Sequence, residues 1–296
     1  MNVKITDILA VLDYQKYIGD TQATVSKLIV LDGENQELNV LSWCSDSNID
    51  SLGRDLKGTI ICSAAVLTRE RSRSCNYIVV SNPRLAFTKV INTFFHYPEI
   101  SEISKTALID ENVVIGAGAC IGNNVTIESN CLIGKNVSIG HNSILKSNSV
   151  LGNNVVIGSS CTIGGCGFGY QMDSNGRKLR INHIGGVRLS DRVEIGNNVC
   201  IDRGVIGDTI LGEGVLVDNI AHISHNVVVG KDAMIFALTV ICGSTTIGER
   251  SKIAPGASVI NKVSIGDDVQ VGMGAVVTKN IGSNCVVIGN PARKIG

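Results

Sequence analysis

The chain has 296 residues, with 26 basic and 26 acidic side chains and no net charge, which excludes the electrostatic footprint of a nucleic-acid binder. No apolar run approaches membrane-spanning length, and the N-terminal MNVKITDILAVLD carries Lys4 and Asp7 where a signal peptide needs an apolar core. Ten cysteines without a CxxC pair speak against a disulfide framework or a zinc knuckle, so a reduced, cytoplasmic protein is expected.

Residues 1–100 read as a small α/β domain. ITDILAVL and NPRLAFTKVINTFF have helical spacing, while SKLIVL, TIICS and NYIVVS read as strands, and the domain is expected to end near Tyr97 and Pro98. Its most basic stretch, RERSRS from Arg69 to Ser74, reads as a solvated loop.

Residues 101–296 keep a six-residue clock. From Ile109 an aliphatic recurs at Ile115, Ile121, Ile127, Ile133 and Ile139 and on to Ile163. After a resumption at Leu189, Ile195 and Ile201 it restarts at Leu211 and runs to Val277. The position four after each aliphatic is small or β-branched, as at Cys131, Ser143, Ala221 and Thr245, and the remaining positions are rich in Gly, Asn and Asp. No α-helix has this period. Short strands joined by tight turns do, and the turn residues are those that tolerate positive φ. Two interruptions stand out. One is an excursion, loop 164–188, with a hairpin turn at Asp173-Ser174-Asn175-Gly176; the other is a four-residue insertion between Ile201 and Leu211. Loops on a rigid scaffold are where function tends to sit.

The stretch DNIAHISHNVVVG, Asp218 to Gly230, places two of the five histidines three residues apart. His222 and His225 beside Asp218, Asn219 and Asn226 fit a metal site, an acid–base site or surface decoration. His141 shares the phase of His225, so phase alone does not mark a catalytic residue. His183, in the excursion, is placed to approach a sugar, but reads first as an exposed loop histidine, and His96 reads as structural. Gly243 lies 18 residues beyond His225, so in a coil of three hexads the two stack directly.

The clock resembles the hexapeptide-repeat proteins, which implies a mainly β chain, a left-handed parallel β-helix preceded by the α/β domain, and a homotrimer with sites between neighbouring prisms. The order of parts (NPRLAFTKV in the head, then GFGY, IDRG and DNIAHISHNVVVG) resembles the UDP-3-O-(3-hydroxyacyl)glucosamine N-acyltransferases of lipid A synthesis. That resemblance implies a catalytic base at His225 with Asp218 and Asn219 as polar neighbours, and acyl carrier protein as donor. An amine attacking a thioester also needs an oxyanion donor, a role the Gly243 N–H is expected to fill. The head is expected to bind a nucleotide sugar through Trp43 and Asp46. Phe168, Tyr170 and His222 are further candidates for substrate contact.

The chain departs from that family in three places. Lys262 stands where the family has a second histidine. SWCSDSNI offers Trp43, Asp46 and Ile49 where the family has an aromatic, an Asn and a Tyr. The ending VVTKNIGSNCVVIGNPARKIG resembles coenzyme A-dependent hexapeptide acetyltransferases, which implies that Lys279, Asn290, Pro291 and Arg293 lie beside an acyl-coenzyme A; Lys262 is a further candidate for the acyl or cofactor site. The expected function is therefore transfer of a short acyl group from acyl-coenzyme A to a nucleotide-linked amino sugar, with Phe236 and Leu238 filling the groove for a longer chain. The lipid A enzyme using acyl carrier protein is the alternative. A metal-binding trimer of the γ-carbonic anhydrase type is the alternative of another class, and the acyltransferase reading needs no metal.

Overall fold

The computed structural model describes residues 2–31, 35–51, 56–68, 74–96, 100 and 102–295. Residues 69–73 of the basic stretch, and the Tyr97-Pro98 boundary, lie outside the described residues. The chain forms two compact units, Met1–Pro98 and Glu99–Gly296.

The first unit holds a five-stranded sheet in the order Lys16–Ile18, Cys75–Val79, Gly58–Cys62, Val40–Trp43, Lys27–Leu28. Only the first strand is antiparallel to its neighbour. Period-two alternation puts Leu41, Ile61 and Ile78 on one face, packed with Ile5, Ile8 and Val90 of the helices, and Ile60, Tyr77 and Val79 on the other. The helix Pro83–Val90 starts at Asn82, whose side-chain oxygen accepts from the Leu85 N–H, and Pro83 fits the first turn, where no N–H is needed.

The second unit is the left-handed parallel β-helix. Most of its strands are two residues long, one outward and one inward, as in His222–Ile223. Each pairs in parallel with the strand one coil on: Ile223 with Ile241, Val229 with Ile247, Ile235 with Ile253. The result is three sheets of ten, nine and eight strands around one core of Ile, Val, Leu, Ala and Cys. The corners explain the asparagines. Asn124, Asn130, Asn136, Asn142, Asn148 and Asn154 all sit near φ +60°, which a short polar side chain tolerates at less cost than a branched one. They also bond one another along the prism, as Asn124 Nδ2 does to Asn142 Oδ1 at 3.3 Å.

The ladder continues across both interruptions, with a register shift between Ile163 and Gly165 where the excursion leaves it. Ile163 pairs with Ile201 across the excursion, and Ile201 with Ile223 across the insertion. The excursion carries an antiparallel hairpin, Tyr170–Met172 against Lys178–Arg180, closed by Asp173, whose carboxylate accepts from the amides of Asn175 and Arg177. At the far end Val286–Ile288 and Arg293–Ile295 fold back antiparallel, with Asn290 and Pro291 in the turn between them.

Candidate active site

His225 sits on the corner after His222–Ile223, and its orientation follows from Asn226. The Asn226 side-chain oxygen accepts from the Val205 N–H at 2.9 Å, its Nδ2 donates to the Gly207 carbonyl at 3.3 Å, and its backbone N–H donates to Thr209 Oγ1 at 2.8 Å. The insertion thus fixes which end of the amide is oxygen. That oxygen lies 3.2 Å from His225 Nδ1. An amide oxygen only accepts, so in the neutral ring the proton sits on Nδ1 and the Nε2 lone pair is free.

Nε2 faces Gly243. A Cβ on Gly243 would lie 2.6 Å from both Nε2 and Cε1 of His225. The φ of Gly243 is not in the left-handed region, so this glycine is required for close approach rather than for backbone conformation. Its N–H makes no hydrogen bond to any described residue.

A second histidine meets the first. His183 was expected to be an exposed loop residue; it is 6% exposed, and its ring centroid lies 5.0 Å from that of His225, edge to face. The excursion folds back because its glycines leave room: a Cβ on Gly167 would fall 2.5 Å from His183 Cε1 and 3.2 Å from His225 Cδ2. Burial, and then the neighbouring His225, hold the His183 pKa below the ordinary histidine value.

Asp202, in the IDRG stretch, completes the cluster. Its carboxylate lies 3.5 Å from His222 Nε2 and its side chain is 14% exposed. Burial pushes its pKa up, against the opposing pull of His222, His225 and His183. Among the described residues no group of three or more His, Cys, Asp or Glu is placed to hold a metal ion.

Several expected residues lie elsewhere. Asp218 and Asn219 occupy the preceding corner. Asp218 accepts from the backbone and side-chain N–H groups of Asn219, and Asn219 Oδ1 accepts from the Asn197 N–H at 2.7 Å. Both carboxylate and amide are used within that corner, and orientation of His225 falls to Asn226. Leu238 stacks on the same corner through its N–H to the Asn219 carbonyl, so within one chain neither it nor half-buried Phe236 is brought to His225. Lys262 is on the His225 corner, its N–H donating to the Gly243 carbonyl. Lys279 lies one coil further and lines a cavity of about 360 Å³ with Arg293 and Lys294; Asn290 and Pro291 are in the turn and do not line it. Phe168 is 90% exposed and stacks edge to face on Tyr170, whose hydroxyl accepts from Arg180. In the head, Trp43 faces Phe87 at 6.4 Å across an apolar cavity of about 330 Å³, lined also by Leu28, Val30, Leu31 and Ile91. Asp46 is not among its lining residues; its carboxylate accepts from the Ser63 hydroxyl.

The family model for the bacterial transferase hexapeptide (six repeats) matches residues 130–165 and 244–279. A UDP-3-O-acylglucosamine N-acyltransferase of Delftia acidovorans is 38% identical over 293 residues, covering 98% of this chain and 86% of that one. The chain belongs to this family of acyltransferases. Its counterpart from Campylobacter lari is 39% identical over 94% of this chain and 90% of its own. Among solved structures, the UDP-N-acetylglucosamine acyltransferase from Campylobacter jejuni shares the fold, with a TM-score of 0.58, at 18% identity, over 66% of this chain and 74% of that one.

Gly167 and Asp202 were not singled out from sequence, nor were the burial of His183 against His225 and the orienting role of Asn226. Asn226 and Asp202 stand inside the DNIAHISHN and IDRG stretches, and the glycines of GGCGFG permit a loop to pack against a ring without pointing to one.

Proposed function

We propose that this chain acylates the amino group of UDP-3-O-acylglucosamine from a thioester donor. The names of its relatives favour the acceptor that the sequence reading ranked second. The observation that supports the chemistry is the His225 Nε2 lone pair beside the Gly243 N–H, neither of which has a hydrogen-bond partner among the described residues. The sugar nitrogen attacks the thioester carbonyl, forming the C–N bond, and His225 Nε2 takes the proton released from nitrogen. The Gly243 N–H holds the oxyanion. Collapse breaks the C–S bond, and the thiolate leaves with the proton returned from His225.

The donor is acyl carrier protein. Its pantetheine arm has a track: His225, Gly243, Asn261 and Lys279 occupy one corner in successive coils, so Lys279 lies about 14 Å from His225 along the prism. The second reading, coenzyme A, rests on the cavity at the end of that track with Lys279, Arg293 and Lys294, a basic site for nucleotide phosphates. Turnover of UDP-3-O-acylglucosamine with acyl carrier protein and with coenzyme A thioesters separates the two. No amide product with either donor would overturn the proposal.

The head holds the uracil. Trp43, the sole tryptophan, is expected to lose fluorescence when UDP fills the apolar cavity. Unchanged emission at UDP-sugar concentrations that sustain turnover rejects this.

The working form is a homotrimer. Ile220 and Leu238 stack on one corner at φ +62° and +60°, 56% and 60% exposed, a conformation and exposure that branched apolar residues adopt at a cost of about 1–2 kcal/mol each. Burial of that corner by a neighbouring copy offsets the cost. Sedimentation equilibrium reads the trimer directly, and a monomer sinks this assignment.

Phe236 and Leu238 limit the acyl chain across that interface. A four-carbon hydroxyacyl donor is expected to exceed a fourteen-carbon one in kcat/KM by roughly ten- to a hundredfold, since overpacking a filled groove costs about 1–3 kcal/mol. Preference for the longer donor rejects the limit.

A further inference from the structure

His183 has a fixed tautomer and an unused proton. The Gly167 N–H donates to its Nδ1 at 3.0 Å, so Nδ1 presents the lone pair and the neutral ring carries its proton on Nε2. That Nε2 is the one buried side-chain nitrogen or oxygen among the described residues without a partner at hydrogen-bond geometry; the Arg203 backbone lies near enough to oppose the fall in the ring's pKa but makes no such bond to Nε2. A donor buried unpaired is destabilising, and in a folded chain such an atom marks a place where something else supplies the acceptor. Gly169 packs closely on it: a Cβ there would fall 3.2 Å from Nε2 and crowd whatever meets that atom.

The position of this donor says which reactant it serves. Gly243 lies on the coil after His225, whereas the excursion leaves the prism on the N-terminal side, from the strand that pairs with Cys200–Asp202. With the thioester carbonyl on the Gly243 side of the base, the attacking amine and its sugar occupy the excursion side. We propose, resting on the acceptor named above, that His183 binds the acceptor by donating its Nε2–H to a sugar oxygen next to the reacting amine. The ring is neutral, so the bond is a single directed N–H and not a charge contact that would hold the pyrophosphate equally well.

Two substitutions separate this from a purely structural role. In His183→Asn the side-chain oxygen replaces Nδ1 as acceptor for the Gly167 N–H, and nothing reaches the place of Nε2. In His183→Gln an amide N–H stands near that place. With UDP-3-O-acylglucosamine as the varied substrate, His183→Asn is expected to raise the acceptor KM about three- to tenfold with the donor KM unchanged. His183→Gln is expected to recover most of that loss. An acceptor KM unchanged in His183→Asn overturns the assignment, as does a loss confined to kcat or to the donor KM. A wild-type chain inert toward this acceptor overturns the functional reading instead, and does so before any variant is compared. Should His183→Asn fail to fold, nitrogen NMR of histidine-labelled wild type decides: the assignment requires the Nε2–H tautomer at His183 and a downfield shift of that proton on adding the acceptor. An Nδ1–H tautomer, or a proton that ignores the acceptor, overturns it.

Discussion

His225→Ala is expected to lower kcat/KM by about a hundredfold to ten-thousandfold, the usual worth of a positioned general base, with the melting temperature almost unchanged. The separation of the two effects follows from the fold. The core residue of this strand is Ile223, and the histidine ring lies outside the hydrophobic interior. What binds this corner to the next coil is backbone: the Ser224 N–H to the Ile241 carbonyl and the Ser244 N–H to the His225 carbonyl, neither of which the substitution removes. Asn226→Ala should cost less activity than His225→Ala, because it frees the tautomer without deleting the base. It should cost more stability, because the Val205 N–H and the Gly207 carbonyl both lose their partner. Steady-state kinetics beside thermal melts measure the contrast. A His225→Ala enzyme within threefold of wild type would remove His225 from the chemistry.

The reason Asn226 rather than Asp218 orients the base also explains what could be read without a structure. In a solenoid, residues six or seven apart stand on different corners, and true neighbours are 18 apart. Counting 18 from His225 reaches Gly243, and the structure puts the imidazole against that glycine. Asp218 and Asn219 are close to His225 in sequence and a corner away in space, so adjacency in the motif does not identify the orienting partner. The periodic part of the fold was legible because each inward Ile or Val and each corner Asn repeats the same local demand. His183 was not legible, because the excursion breaks the period and no count carries through it. Nothing in GGCGFGYQMDSNGRKLRINHIGG says that the loop turns back onto the coil of His225; the glycines permit it, and the hydrogen bond from Gly167 to His183 fixes it. Asp202 escaped for a milder reason: the insertion lengthens the repeat there, so its place beside His222 cannot be found by adding 18.

Gly243→Ala is expected to abolish activity nearly as thoroughly as loss of the histidine itself, though it adds a single methyl group. The backbone at residue 243 has no positive φ, so alanine is conformationally acceptable and the stability effect should stay small. The added Cβ, however, would sit 2.6 Å from His225 Cε1 and Nε2, well inside van der Waals contact, and something must move. The coil is the stiffer partner. The Ser244 N–H holds the His225 carbonyl, and the Lys262 N–H holds the Gly243 carbonyl, so both ends of the turn are tied to neighbouring coils. The imidazole turns on its own side-chain bonds at a cost of roughly 1 kcal/mol when it leaves its rotamer well, so it is the ring that yields. Displacing it breaks the contact with the Asn226 oxygen, releases the tautomer and takes Nε2 away from the place where the amine proton is delivered. The methyl also crowds the approach of a carbonyl oxygen to the Gly243 N–H. Both losses fall on kcat, by about a hundredfold for an oxyanion donor alone, and any smaller rise in acceptor KM should come through His183, whose ring packs against the displaced one. Kinetics with the two reactants varied separately, and a melt to confirm the fold, measure this. A Gly243→Ala enzyme with full kcat would mean that neither the ring position nor the amide matters to the reaction.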